Sequence, residues 1–128
     1  MCAVTPPAQI VLPTTTRAPA TARAFLRGAG CSTHHARVLD EAELLVSELA
    51  TNAVLHGTPP VSVHVECDGS RGLRVSVTDG SEEAPLAREA GPEDGSGRGM
   101  LLVDVISHHW GVHARPGQGK AVWFRLRQ

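Results

Sequence analysis

Aromatic residues are scarce in this chain: two Trp, two Phe and no Tyr among 128 residues. A platform that stacks successive nucleic-acid bases needs several exposed rings, so that class of binder is excluded. Cysteines are few and odd in number. Cys2, Cys31 and Cys67 are widely separated, which rules out a disulfide framework and a CxxC metal site and points to free thiols in a reducing compartment. Charge of one sign is also lacking. Twelve basic residues face thirteen acidic ones, for a net charge of −1, so no global field draws the chain to nucleic acid or to an anionic membrane. No run approaches the ~18 apolar residues that span a bilayer. Met1 to Pro7 carries no basic segment followed by an apolar one, so a cytoplasmic location is expected.

What is present is enough apolar material, 41% of the chain, for one packed core. Thirteen Gly and nine Pro imply many turns. Residues 1–8 read as a flexible tail and 9–128 as a single domain. Gln9 to Pro13 suits a short edge strand, limited by Pro13. Ala20 to Arg27 holds good helix formers, with Gly28 and Gly30 expected to stop it. Ser32 or Thr33 is expected to cap the next helix, whose most periodic part is Asp40 to His56. Gly57 follows as its C′ residue, and Pro59-Pro60 forbids continuation. Val61–Glu66 and Leu73–Thr78 alternate apolar and polar residues, as half-buried strands do. Asp79 to Gly99 breaks every period. A stretch of about 20 irregular residues inside a domain is more often functional than idle. Met100–Ile106 reads as a helix, and His108–Ala114 and Ala121–Arg127 as two last strands. The order β-α-α-β-β-loop-α-β-β implies a two-layer α/β sandwich: a mixed, mostly antiparallel sheet with helices on one face.

On a helical wheel, Ala42, Leu45, Val46, Leu49, Ala50 and Ala53 cover one arc. At its edge lie Glu48 and Asn52, four residues apart and therefore on one face, with His56 next. A carboxylate and an amide interrupting an apolar surface are costly unless satisfied. A metal, a phosphate or a catalytic water would do so; so would a Glu–Asn hydrogen bond at the rim of the helix. Asp79-Gly80 follows a strand, where the Asp is either a turn-former or an acceptor for an exocyclic amine. Gly95-Ser96-Gly97-Arg98-Gly99 precedes a helix, where glycines allow close approach of a phosphate and free N–H groups favour an anion. It is neither a Walker A loop nor a dinucleotide fingerprint. Lys120 is a candidate phosphate contact. The seven histidines show no metal-ligand spacing.

The ordered segments ELATNAVLHG (48–57), VTDG (77–80), GRGMLLV (97–103), WGV (110–112) and GKAVWF (119–124) resemble the histidine-kinase-like (GHKL, Bergerat) ATPases. Within them, they are most similar to the anti-sigma-factor serine/threonine kinases of actinobacteria. The resemblance implies a Bergerat sandwich that binds ATP beneath a lid at about residues 80–99. It implies Asn52 as ligand to a Mg²⁺ ion, Glu48 as the catalytic base, and Asp79 with Gly80 at the adenine. It places Gly95, Gly97, Arg98, Gly99 and Met100 along the phosphates, and His56 at the edge of the cofactor site. It implies phosphorylation of a STAS-type anti-anti-sigma protein, with a sigma factor and a homodimer as further partners. The alternative is an ATP-binding regulatory module without kinase turnover. Many relatives carry Thr where this chain has Ala121; that hydroxyl is expected to support the adenine-binding Asp. No dimerisation and phosphoacceptor helix pair precedes the domain, so a histidine kinase proper is not expected.

Overall fold

The computed structural model describes residues 8–29, 37–69, 72–81 and 102–127. Strand β1 (Ala8–Leu12) leads into helix α1 (Ala18–Ala29) and helix α2 (Leu39–His56). Strands β2 (Val61–Cys67) and β3 (Leu73–Asp79) follow. A short helical segment, 102–106, precedes β4 (His109–Arg115) and β5 (Gly119–Leu126). The five strands form one sheet in the order β1-β2-β3-β5-β4, antiparallel at every pairing. The predicted sandwich forms, with α1 and α2 packed on one face of this sheet.

Period-2 patterning assigns the faces. Val61, Val63, Val65, Leu73, Val75, Val77, Val122, Phe124 and Leu126 turn inward and are buried. Their neighbours Ser62, His64, Glu66, Arg74, Ser76, Thr78, Trp123 and Arg125 turn outward and are half-buried. Helix α2 meets the inner face with Ala42, Leu45, Val46, Leu49, Ala50 and Ala53, the arc that the wheel predicts. Helix α1 contributes Ala18, Ala22 and Leu26, one residue per turn; its alanines leave room for close helix approach.

One helix boundary, and the backbone conformation at the end of the other helix, differ from expectation. Helix α1 runs through Gly28 to Ala29. A glycine costs about 1 kcal/mol in a helix, but the last turn is tied to α2, because Arg27 bonds both Asp40 and Glu43. At the other end of α2, Gly57 has φ −90° and ψ −171°, an extended rather than a left-handed conformation. Its lack of a side chain answers to space instead. A Cβ there would lie 2.6 Å from both the Ala53 carbonyl oxygen and Asp79 Cγ. Ser32 and Thr33, expected as caps, lie outside the described residues. Val38 occupies the N-cap position of α2 without a side-chain bond, and Asp40 and Glu41 in the first turn complement the helix dipole.

Candidate functional site

The inner face is apolar along its length and changes character at one end. There β3 finishes in Asp79 and β5 begins with Gly119-Lys120; in the register of the sheet Asp79 stands directly opposite Lys120. Both side chains are buried, Asp79 at 4% exposure and Lys120 at 7%. Lys120 Nζ lies 3.1 Å from Asp79 Oδ2 and donates to Oδ1 at 3.2 Å. A longer contact, 3.5 Å, reaches the Ser81 carbonyl. Asp79 Oδ1 also accepts the Ser81 amide at 2.7 Å and the Thr58 amide at 3.5 Å. The Gly80 amide in turn donates to the Thr58 carbonyl. The end of β3 is thus stitched to the connection that leaves α2, and the Asp79 carboxylate is clamped beside Gly57.

Gly119 makes the approach of these strands workable. Its φ is +98°, a region open to glycine, and a Cβ would sit 2.0 Å from the Asp79 carbonyl oxygen. A side chain at 119 would push β5 away from Asp79 and break the Lys120 contact.

The second part of the site lies on α2. Glu48 and Asn52 are half-buried, one turn apart, beside the buried arc. The Asn52 side-chain oxygen is withdrawn from solvent. Thr51 and Ser47 donate back to carbonyls within the helix, which satisfies their hydroxyls locally. His56 closes the helix and is exposed. Gly80 is exposed at the end of β3. Gly95, Gly97, Arg98, Gly99 and Met100 lie outside the described residues, as does the expected lid except at its first residues, Gly80 and Ser81.

Two expectations are corrected here. Lys120, a candidate phosphate contact, is engaged with the Asp79 carboxylate. Ala121 does not bear on Asp79 at all, because successive residues of a strand face opposite ways. Ala121 pairs with Thr78 and, with it, lines a hollow on the outer face of the sheet. The residue that supports Asp79 is Lys120. The order Gly119-Lys120 offered no local signal for this role; only the register of β5 against β3 brings the two side chains together.

Hollows of about 300 Å³ and about 200 Å³ open on the outer face and share His64, Thr78 and Arg115. The smaller reaches Asp79 and Gly80 at its rim. Neither is lined by Glu48 or Asn52. Burial, together with the nearby Arg115 cation, lowers the His64 pKa from its ordinary value, against an opposing pull from Glu66. Trp123 lies over Gly111, whose missing Cβ would approach its indole nitrogen at 2.9 Å. The Arg74 guanidinium stacks on the same ring, 4.9 Å from its centroid.

Two helices packed on one face of a five-stranded antiparallel sheet, with a buried acidic group at the sheet's end, define the class: a two-layer α/β sandwich. The chain belongs to the histidine kinase-like ATPase domain family, which it matches over residues 12–126. It is 38% identical to an uncharacterised protein of Streptomyces coelicolor over 82 residues, 60% of this chain and 76% of that protein. Its fold is that of the structure containing the RsbU and RsbW domains of Rv1364c from Mycobacterium tuberculosis. The TM-score is 0.66 and the identity 21%, over 96% of this chain and 32% of that one. It is also similar to the histidine kinase domain of the Erythrobacter litoralis EL346 blue-light activated histidine kinase. There the TM-score is 0.54 and the identity 25%, over 70% of this chain and 44% of that one. The chain thus spans less than half of either solved protein. Among the described residues, no helix is long and apolar enough to cross a membrane.

Proposed function

We propose that this chain is an ATP- and Mg²⁺-dependent serine/threonine protein kinase of the anti-sigma-factor type, acting on a STAS-type anti-anti-sigma protein. The observation that carries the reading is the buried Asp79 carboxylate at the end of an otherwise apolar sheet face, next to the point where α2 ends. A carboxylate accepts hydrogen bonds only, and so suits the exocyclic amino group of adenine. The residues fit the groups they would hold. Mg²⁺ prefers oxygen ligands and keeps much of its water, so the amide oxygen of Asn52 suffices as a protein ligand. The ion, when bound, neutralises the charge on the phosphates. Glu48, one turn away, stands on the same helix face to take the proton of the attacking serine or threonine hydroxyl while the γ-phosphoryl is transferred and ADP leaves. The glycines at 57 and 119 keep side chains away from Asp79.

The test is incubation with γ-labelled ATP and candidate STAS-type proteins. Label is expected on the partner's hydroxyl residue and is expected to fall at least 100-fold with Glu48→Ala or Asn52→Ala. Transfer that survives both substitutions unchanged would overturn the assigned roles. Binding of ATP without transfer to any partner would leave the nucleotide-binding regulatory module.

A further inference from the structure

We propose that Lys120 is a specificity-determining residue that reads the nucleobase together with Asp79. The inference rests on the ATP reading above and deepens it. Asp79 and Lys120 form an acceptor and a donor 3.1 Å apart at the same end of the sheet. The edge of adenine presents the complementary order on neighbouring atoms: the 6-amino group donates and N1 accepts. Hypoxanthine and guanine present the reverse, an oxygen at position 6 and a donating N1–H. An adjacent carboxylate and ammonium therefore match adenine at two points and, in that orientation of the base, oppose the 6-oxo purines at both.

The local geometry favours this role over that of a plain structural pair. An ion pair buried in an apolar layer gains little stability over apolar residues of the same volume, yet here it is the sole charged pair that the described inner face contains. Asp79 Oδ1 is held by the amides of Ser81 and Thr58 as well as by Lys120. Among the described residues, Oδ2 receives the Lys120 ammonium. Oδ2 has a further lone pair for an amino group. An ammonium carries three protons, and one shared across the carboxylate and one toward Ser81 leave a third for a ring nitrogen. Gly57 leaves the carboxylate room on the α2 side, and the Ser81 and Thr58 amides fix its orientation and the ammonium's with it.

The test uses the whole chain and a titration of nucleotide binding with Mg²⁺, and needs no turnover. ATP, 1-deaza-ATP (which lacks N1) and 7-deaza-ATP (altered on the opposite edge) are compared. The wild-type chain is expected to bind 1-deaza-ATP about tenfold more weakly than ATP, and 7-deaza-ATP like ATP, as loss of one charge-assisted hydrogen bond requires. In Lys120→Met, checked for its fold by circular dichroism, ATP and 1-deaza-ATP are expected to bind alike. Equal binding of ATP and 1-deaza-ATP by the wild-type chain would overturn the proposal, whether or not the variant folds. Failure of ATP itself to bind is a different result: it overturns the nucleotide reading of the site, and this proposal falls with it.

Discussion

The two faces of the sheet are built from the same strands by the same alternation, yet polar groups mean different things on each. On the outer face they are half-buried and pair with neighbours along the surface. Arg74 meets Glu66, Arg125 meets Asp68, and both arginines approach Trp123. Such contacts, at a face still partly open to solvent, contribute modestly. On the inner face valines, leucines and Phe124 exclude water, and Asp79 and Lys120 are the buried charged groups among the described residues. A charge on the outer face is ordinary surface. A charge pair on the inner face is costly to bury, and gains little over apolar residues of the same volume. Depth, rather than charge, separates this pair from the other charged groups of the described sheet.

Substitutions that exchange the character of the two faces test this contrast. The largest effect is expected from Phe124→Ala, which empties the centre of the inner face where the side chain is wholly buried. Chemical denaturation should show a loss of about 3–5 kcal/mol. Next comes Lys120→Met, which leaves the Asp79 carboxylate buried without its cation. The expected loss is about 3 kcal/mol. Replacing both partners, Asp79→Leu with Lys120→Met, should recover most of it, because no charge then remains in the layer. A double variant no more stable than the single one would show that the pair holds the strands together in a way apolar contacts do not.

The smallest effect belongs to the outer face. Burial and Arg115 hold the His64 pKa below its ordinary 6.5, so the unfolded chain binds a proton that the folded chain resists. Stability is therefore expected to fall as pH drops through the ordinary histidine range, and to level off once His64 is protonated in the folded chain. Thermal melts from pH 7.5 to pH 5 should show a shallower decline for His64→Gln than for the wild type. Equal slopes would place the acid sensitivity elsewhere.

Much of this was legible in the residues. The burial of α2 followed from spacing alone, since a helix repeats every 3.6 residues and the apolar positions Ala42 to Ala53 keep that period. Strands β2, β3 and β5 followed from alternation, and the limits of all five moved by one or two residues. Glu48 and Asn52 stood out because they interrupt an apolar arc, and Asp79 because it ends a strand. Gly57 was read correctly as special but for the wrong reason: its backbone is extended, and what it accommodates is the Asp79 carboxylate 22 positions away in the chain.

Local periodicity therefore determined the elements, their inward faces and the residues that break the pattern, because those depend on dihedral repeats and nearest neighbours in the chain. What only the tertiary structure decided is which of those residues meet. The placement of β5 beside β3, in a register that sets Lys120 against Asp79 and turns Ala121 to the other face, depends on how whole surfaces pack. A shift of one residue would reverse that assignment, and no feature of Gly119-Lys120-Ala121 taken alone specifies it.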